Sequence, residues 1–201
     1  FDMPRFSRRG FIFTGLATVS AASLMQRAEA RTGWTMPADW TPQMVLLNNS
    51  YSAGQVHVVP SDFALYLTFG GQSARRYRVG IGKGDLYESG NFWVGAKKEW
   101  PTWKPTAEMV ERNPTAYAKW AEEPMPGGPT NPLGARALYL FAPNAGDTML
   151  RIHGTPDPWT VGTAVSNGCV RLMNEHIEEL YNLVPVGAPV VLYPKDIVPV
   201  V

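Results

Sequence analysis

The sequence SNGCVRL, at Ser166–Leu172, contains the only cysteine of the chain, and the sequence RIHGT, at Arg151–Thr155, precedes it. A thiol is a strong nucleophile as its thiolate, and a nearby imidazole can take its proton and later return it to a leaving amine. Cys169 and His153 therefore favour acyl transfer through a thioester. The alternative for Cys169 is a small buried hydrophobic residue, since free cysteine is among the most buried residue types.

The neighbours of the cysteine favour the catalytic interpretation. Gly168 lets the backbone come close to a substrate and adopt dihedral angles that other residues avoid, which suits backbone N–H groups aimed at an oxyanion. Arg171 lies two residues beyond Cys169, so in an extended segment the two side chains share a face. Its guanidinium is then placed to hold a substrate carboxylate.

The two sequences together resemble the signature of the L,D-transpeptidases with a YkuD-like catalytic domain, which is a histidine, a spacer, and then Ser/Thr-x-Gly-Cys-hydrophobic-Arg/Asn. The resemblance extends over Gln55–Tyr193 and includes the segments Val79–Lys83, Asn131–Gly134 and Val184–Gly187. It implies a mostly β fold, a YkuD-like β-sandwich with short helices. Many members have a second histidine at the position of Asn167, so the role of base falls to His153 alone.

The resemblance also implies roles for the residues around the thiol. Cys169 would be the nucleophile and His153 the general acid and base. The backbone carbonyl of Gly154 would orient the second ring nitrogen of the histidine. The N–H groups of Gly168 and Cys169 are the expected oxyanion donors.

Four further residues are candidates for substrate binding on the same resemblance. Arg171 would bind a substrate carboxylate, and Ser166 and Asn167 would shape the mouth of the pocket. Trp159 is a weaker candidate.

The implied substrates are peptidoglycan stem peptides. Cys169 would attack the carbonyl of the third stem residue and expel the terminal D-alanine. An amine of a neighbouring stem, or of a protein to be anchored to the wall, would then take the acyl group; the stem amine gives a 3–3 cross-link. Two other functions stay open: an L,D-carboxypeptidase or endopeptidase, in which water replaces the amine, and a non-catalytic wall-binding module, against which the intact Cys169 and His153 argue.

Length and composition predict one globular domain with an appendage, since the chain has 201 residues, 45% hydrophobic and 17% charged. Residues 1–30 hold four of the 18 Lys and Arg side chains and two of the 17 Asp and Glu side chains. The remainder is therefore slightly acidic, with 14 basic and 15 acidic side chains. A nucleic-acid partner, which needs a concentrated basic surface, is not expected.

The appendage is expected to be an export signal. Ser7–Ile12 matches a twin-arginine motif, a moderately apolar stretch follows at Phe11–Leu24, and Ala28–Ala30 is an A-x-A cleavage signal. The apolar stretch is too short and too polar to span a membrane easily, so we expect no stable membrane anchor after cleavage and a location in the periplasm. With one cysteine, an internal disulfide is not possible.

The predicted organisation is a signal peptide at residues 1–30, a linker at 31–54 ending in a short strand, a catalytic domain at 55–193 and a C-terminal tail at 194–201. Short runs with alternating apolar residues, separated by turn signals, predict strands across the catalytic domain. A helix is predicted after the cysteine, with Asn174 as its N-cap and Ile177, Leu180, Tyr181 and Val184 at helical spacing. Gly80–Gly84 fits no phosphate-binding pattern and is predicted to be a turn.

The three histidines are scattered, so neither a metal site nor any other cofactor is expected. His176 is predicted to be a solvated surface residue of the helix. His57 is predicted to be structural, on the face of its strand opposite to its apolar neighbours.

A long insertion, Glu99–Gly134, contains seven prolines, three tryptophans and a short helical stretch at Thr106–Arg112. Loops of this length are often functional. It either forms one wall of a substrate groove, with Trp100, Trp103 and Trp120 as contacts, or is a structural flap whose tryptophans pack against the sheet.

Overall fold

The computed structural model describes residues 33–196, and this part of the chain is mostly β with three α-helices. The strands are β1 Gln43–Tyr51, β2 Val56–Val59, β3 Ala64–Arg78, β4 Ile81–Gly82, β5 Gly90–Glu99, β6 Arg136–Ala142, β7 Gly146–His153, β8 Ala164–Ser166, β9 Val170–Arg171 and β10 Pro189–Leu192. The helices are α1 Ala107–Arg112, α2 Pro114–Glu122 and α3 Asn174–Leu183. The expectation of a mostly β fold with short helices is confirmed.

Eight of the described strands form one sheet, in the order β1-β3-β2-β10-β5-β6-β7-β9, and β4 pairs with β8 in a separate two-stranded sheet. Most neighbours are antiparallel, but β10 runs parallel to β2, and β9 runs parallel to β7. The last strand in the sequence, β10, therefore lies in the middle of the large sheet. The strand that ends in His153, β7, lies near one edge with β9 beside it.

Apolar side chains cover both faces of the central strands. Alternate residues of a strand point to opposite faces, and in β2 all four residues are buried. Val56 and Val58 belong to the larger core cluster, which also contains Ile177 and Leu180 of α3. Val59 belongs to a smaller cluster on the other side.

His57 lies on the same strand and is buried, with 4% of its surface exposed. Its Nδ1 lies 3.1 Å from the hydroxyl oxygen of Tyr193, and its Nε2 lies 3.2 Å from Oε1 of Gln55. Burial lowers the pKa of His57. These contacts agree with a structural role.

The segment expected to end in a short strand carries β1, which is nine residues long. It pairs antiparallel with the second half of β3, where Val45 lies opposite Ala74. The first half of β3 pairs with β2. Because β3 lies between β1 and β2 in the sheet and has 15 residues, its second half offers β1 a long strand to pair with.

The predicted helix after the cysteine is present as α3, but the prediction for Asn174 is wrong. Met173 occupies the N-cap position and makes no side-chain cap. Asn174 is the first helical residue, and its Oδ1 accepts a hydrogen bond from the Ala135 N–H at 2.9 Å. The side chain therefore ties the helix to the segment that enters β6, instead of capping the helix.

The prediction of a solvated His176 is also wrong, since only 6% of its surface is exposed. Its ring lies 6.5 Å from that of Tyr77 on β3. The buried face of α3 is wide enough to include His176 beside Ile177 and Leu180. Burial is the main cause that lowers the pKa of His176.

The glycine-rich segment is only partly a turn. Ile81–Gly82 forms β4, which pairs parallel with β8, and a 3-10 turn follows at Gly84–Leu86. The prediction of a turn was wrong for Ile81–Gly82. This strand forms by pairing with β8, which lies about 80 residues later in the sequence, so the local sequence does not reveal it.

The predicted export signal and residues 197–201 of the predicted tail lie outside the described residues. Among residues 33–196, no helix combines the length and the apolar character that a membrane crossing requires.

Candidate active site

Strand pairing brings the histidine and the cysteine to one end of β7 and β9. In the parallel register, Ile152 lies opposite Val170 and His153 lies opposite Arg171. Cys169 immediately precedes β9. His153, Cys169 and Arg171 all line one cavity of about 1100 Å³.

The loop before the cysteine is held by Ser166. The Ser166 hydroxyl donates to the Cys169 carbonyl at 2.6 Å and accepts from the Gly168 N–H at 3.2 Å. Gly168 has φ +128°, a conformation that favours glycine, and a Cβ there would lie 3.0 Å from the Leu86 carbonyl oxygen. Ser166, which is 1% exposed, therefore fixes the shape of the loop.

The two expected oxyanion donors, the N–H groups of Gly168 and Cys169, differ in whether they are already hydrogen-bonded. The Gly168 N–H already donates to Ser166 Oγ. In the part of the chain that the structure describes, the Cys169 N–H has no hydrogen-bond acceptor. The Cys169 N–H is thus the better placed of the two to meet negative charge in the cavity.

The Cys169 thiol is a partly exposed group on the cavity wall. It donates to the backbone carbonyl of Met149, with 3.9 Å between sulfur and oxygen. Burial raises the pKa of the Cys169 thiol, and the hydrogen bond from the Arg151 backbone N–H, followed by the positive charges of Arg151 and Arg171, acts in the opposite direction. The thiol is therefore protonated when the cavity is empty.

His153 is buried, with 3% of its surface exposed. Its Nδ1 lies 2.5 Å from the Gly154 carbonyl oxygen, the partner expected from the sequence. Because a carbonyl only accepts, Nδ1 carries the proton and donates, which leaves Nε2 as the acceptor. Burial, followed by the charge of Arg171, lowers the pKa of His153 to about 3, so the imidazole is neutral near pH 7.

Gly154 is needed at its position because of close backbone packing. A Cβ on Gly154 would lie 2.3 Å from Asn174 Oδ1, and a Cβ on Gly134 would meet the same atom at the same distance. The two glycines allow α3 to pack directly behind the histidine. The hydrogen bond from Ala135 to Asn174 lies at this contact.

Arg171 supplies positive charge to the cavity. Its Nε is buried and has no hydrogen-bond partner among the described residues. Burial lowers the pKa of the Arg171 guanidinium. Cys169 and the carboxylate of Asp157 raise this pKa, but by less. Because Arg171 lines the cavity, its positive charge favours a carboxylate there.

Asn167 connects the cysteine loop to the insertion. Its Oδ1 accepts from Nη2 of Arg112 at 3.3 Å, and its Nδ2 donates to the Tyr117 hydroxyl at 3.2 Å. Arg112 ends α1 and Tyr117 lies on α2. Asn167 thus lies at the edge of the cavity with both helices of the insertion in contact.

The insertion forms part of the cavity wall, which was one of the two predicted alternatives. Of the three tryptophans proposed as contacts, only Trp103 lines the cavity. Trp103 and Tyr117 are lining residues, and their rings lie 6.0 Å apart in an edge arrangement. Trp100 and Trp120 are not among the lining residues. Trp120 is covered by the Lys119 ammonium, 4.7 Å from its ring centre.

The insertion also contains a helix that the sequence analysis missed, α2. Asn113 caps it, because Oδ1 accepts from the Ala116 N–H at 3.2 Å, and Pro114 lies in the first turn. An asparagine followed by proline is a recognised helix start, so the signal was present. Thr106 caps α1 in the same way.

Trp159 lies on a 3-10 turn, Pro158–Thr160, and is 45% exposed. It is not a lining residue of the cavity, although Asp157 beside it is. The structure therefore does not bring Trp159 together with Cys169 and His153.

Arg151 is a residue of the site that was not predicted from the sequence. Arg151 lines the cavity, is 7% exposed and forms a two-point ion pair with Asp147. Its guanidinium also lies 4.0 Å from the ring centre of Tyr139, another lining residue. Strand alternation was the available signal, since residues 151 and 153 share a face of β7.

No group of three or more His, Cys, Asp or Glu side chains within residues 33–196 is arranged to hold a metal ion. The chemistry that the lining residues offer is nucleophilic and acid–base chemistry by a thiol and an imidazole.

Comparison with known proteins gives one family. The family model for the L,D-transpeptidase catalytic domain, YkuD, matches residues 53–192. A probable L,D-transpeptidase of Salmonella typhimurium, ErfK/SrfK, is 31% identical over 159 residues, which are 78% of this chain and 49% of that protein. The chain spans about half or less of the length of the curated relatives it matches most strongly.

Two solved structures are also similar. One from Brucella melitensis, described as a probable carnitine operon oxidoreductase, is 44% identical with a TM-score of 0.54 and covers 76% of this chain and 93% of that one. An L,D-transpeptidase variant from Enterococcus faecium is 19% identical with a TM-score of 0.50 and covers 71% of this chain and 50% of that one. At this identity the second likeness concerns the fold alone.

Proposed function

The chain belongs to the YkuD family of L,D-transpeptidase catalytic domains, and on this basis we propose that it transfers acyl groups of peptidoglycan stem peptides through a thioester on Cys169. The observation that carries the proposal is that Cys169 and a neutral His153 line the same cavity. The donor is a stem tetrapeptide, and the acceptor is an amine of a neighbouring stem or of a wall-anchored protein.

In the first half of the reaction, His153 acts as the base. Its Nε2 takes the thiol proton, and the sulfur attacks the carbonyl carbon of the third stem residue. The raised pKa of the thiol and the lowered pKa of the imidazole oppose a resting thiolate–imidazolium pair. Proton transfer is therefore coupled to the attack, when negative charge moves on to the substrate oxygen.

The negative oxygen of the tetrahedral intermediate then needs a donor. The Cys169 N–H is available for it, and the charge of Arg171 lies in the same cavity. The imidazolium returns its proton to the nitrogen of the terminal D-alanine, the C–N bond breaks, and the thioester remains.

In the second half, the acceptor amine attacks the thioester carbonyl. His153 removes a proton from the attacking nitrogen and returns it to the departing sulfur. The hydrogen bond from Nδ1 to the Gly154 carbonyl keeps the ring in one tautomer through both halves. If water attacks instead of the amine, the same groups perform hydrolysis.

Arg171 is proposed to bind a carboxylate of the donor peptide. Arg171 lines the cavity and lies opposite His153 in the strand register, so its guanidinium can make a charge-assisted hydrogen bond to a carboxylate bound beside the thiol. Ser166 shapes the nucleophile loop from within, whereas Asn167 lies at the mouth of the cavity between the loop and the insertion.

An oxidoreductase activity, named for the Brucella protein, has no support in the glycine-rich segment here. A dinucleotide-binding turn joins a strand to the start of an α-helix. In this chain Ile81–Gly82 is followed by the 3-10 turn Gly84–Leu86 and then by strand β5. We therefore derive no hydride chemistry from the fold.

We further propose that the protein acts outside the cytoplasm, in the periplasm, because its substrate is in the wall and because Ser7–Ile12 matches an export motif. Cleavage after Ala30, at the A-x-A sequence, would then remove residues 1–30.

The test is mass spectrometry of the products after incubation with a defined stem tetrapeptide. A cross-linked dimer and free D-alanine are expected. A tripeptide without dimer would assign the protein as a carboxypeptidase. Unchanged donor, in the presence of an alkylatable Cys169, would contradict the proposal and favour a wall-binding module.

A further inference from the structure

Strand β7 is irregular beside the nucleophile. Its register with β6 shifts between Tyr139 and Phe141, so that three residues of β7, Thr148–Leu150, lie opposite Leu140 alone. Such a bulge bends a strand and redirects its backbone groups. The middle residue, Met149, has φ +63°, a left-handed conformation that is unfavourable for a residue with a Cβ.

The carbonyl of this strained residue is the acceptor of the Cys169 thiol, at 3.9 Å. The side chain of Met149 is 51% exposed, so the packing of the methionine side chain does not fix its backbone. Another group has to hold the left-handed conformation.

The ion pair between Asp147 and Arg151 holds the Met149 backbone in this conformation, and we call this ion pair the 147–151 clamp. Asp147 Oδ1 accepts from the Met149 N–H at 2.9 Å and from Arg151 Nη1 at 2.6 Å, and Oδ2 accepts from Nη2 at 2.9 Å. Arg151 in turn donates to the Leu150 carbonyl at 2.9 Å and covers the ring of Tyr139. The ion pair therefore closes over the bulge and binds its backbone on both sides of Met149.

We propose that Asp147 and Arg151 are positioning residues that hold the Met149 carbonyl against the nucleophile, so that the protonated thiol keeps one orientation on the cavity wall. The proposal rests on the role of Cys169 given above. Asp147 does not touch the reacting atoms and acts through the backbone of Met149. Arg151 holds the same backbone with its side chain, and its own backbone N–H is hydrogen-bonded to the Cys169 sulfur. A nucleophile held in one orientation reacts faster than one that samples several, because a displacement of about 1 Å can cost on the order of a hundredfold in rate.

The first experiment is Asp147→Ala, which removes the acceptor of the Met149 N–H and the partner of Arg151. We expect kcat for the stem tetrapeptide to fall about tenfold or more with KM nearly unchanged. The matched control is Glu99→Ala, which removes another carboxylate paired with a strand arginine, Arg136, away from the cavity. This control should keep the kcat of the parent protein. A normal kcat for Asp147→Ala would overturn the proposal.

The second experiment separates positioning from simple stabilisation of the strand. Glycine adopts φ +63° without strain, so the clamp is less needed when residue 149 has no side chain. In the Met149→Gly protein, Asp147→Ala should lower kcat by less than about threefold, whatever the kcat of Met149→Gly itself. The smaller effect in this background than in the parent protein would show that residues 147 and 149 are energetically coupled. An equal loss of kcat in both backgrounds would show that the clamp does not act through the Met149 backbone.

The third experiment needs no stem peptide, so it decides the positioning question even if the proposed reaction is wrong. The probe is iodoacetamide, and the measurement is the pH dependence of the alkylation rate of Cys169. A carbonyl acceptor favours the protonated thiol, so release of the thiol from this carbonyl in Asp147→Ala should move the midpoint of the profile to lower pH. The uncovered charge of Arg151 acts in the same direction whether residue 149 is methionine or glycine, so the comparison between the two backgrounds decides. The shift should be smaller in the Met149→Gly background. No shift in Asp147→Ala, or the same shift in both backgrounds, would contradict the assignment.

Discussion

The Nδ1–H of His153 donates to the carbonyl oxygen of the next residue, Gly154, at 2.5 Å. Because α3 packs against Gly154, this acceptor belongs to a closely packed backbone. The imidazole ring is therefore oriented by the end of its own strand, and no carboxylate within residues 33–196 is hydrogen-bonded to it. The hydrogen bond to Gly154 by itself raises the pKa of His153, but burial and then the charge of Arg171 outweigh it and lower that pKa to about 3, so the imidazole is neutral.

The first prediction is a pH dependence of stability that comes from His153. The unfolded imidazole takes up its proton as the pH falls through about 6.5, whereas the folded one stays neutral down to about pH 3. The unfolded state binds more protons in this window, so the free energy of unfolding falls as the pH falls. His153→Gln should lack this component, which at pH 4.5 is on the order of 2 to 3 kcal/mol. Urea unfolding of both proteins at pH 7 and pH 4.5 measures it, and an identical pH dependence would mean that the folded imidazole is protonated.

The second prediction concerns Cys169→Ala. The change deletes the nucleophile but removes one atom from a partly exposed position, so turnover should vanish while the melting temperature changes by only a few degrees. The product assay and a thermal melt of the same preparation check both parts. Turnover by the alanine variant would remove Cys169 from the mechanism.

The third prediction is that Arg171→Ala weakens use of the donor peptide. A lost charge-assisted hydrogen bond contributes about 1.5 to 3 kcal/mol, which corresponds to a loss of roughly tenfold to a hundredfold in kcat/KM. Arg171→Lys keeps the charge but not the planar donor array, and should recover part of the loss. If Arg171→Ala also slowed alkylation by neutral iodoacetamide to the same degree, the arginine would be acting on the geometry of the thiol.

The fourth prediction concerns the contact between the cysteine loop and the insertion. Tyr117→Phe removes the hydroxyl that accepts from Asn167 but keeps the ring that contacts Trp103. We expect a severalfold rise in KM with kcat within about twofold, because the hydrogen bond contributes about 1 kcal/mol and lies at the cavity mouth. Steady-state kinetics with the tetrapeptide measure the two constants. A fall in kcat at constant KM would place the contact in the chemistry of the thiol.

The fifth prediction is that replacing Arg8 and Arg9 together by lysine blocks export, because a twin-arginine signal is read by a receptor and not by charge alone. Fractionation of cells that express the precursor checks this. Normal delivery of the double-lysine variant outside the cytoplasm would indicate a general secretory signal.

The meeting of Cys169 and His153 in one cavity could be predicted from the sequence because its signal is local. The motif around Cys169, the distance to His153 and the glycines beside both are properties of two short segments. Gly154 could also be assigned, since its carbonyl adjoins the histidine in the chain. The alternation of apolar residues likewise predicted the central strands.

The 147–151 clamp could not be predicted in the same way. The bulge at Met149 is a property of how β7 pairs with β6, and a register shift leaves no mark in the sequence of either strand. The burial of His176 has a similar origin, since it depends on Tyr77 of β3, about a hundred residues earlier. Asn174 was assigned to the wrong role because its partner, Ala135, is distant in sequence.

The place of β10 in the sheet has a consequence for biosynthesis. Pro189–Leu192 lies between β2 and β5, so it joins β1, β3 and β2 to the four strands that carry the cysteine and the histidine. Until these late residues have left the ribosome, the sheet has a gap at its centre, with two unpaired strand edges exposed. The sheet therefore closes only after β10 has been synthesised, and we expect a chain truncated before Pro189 to be digested by proteases faster than the parent protein.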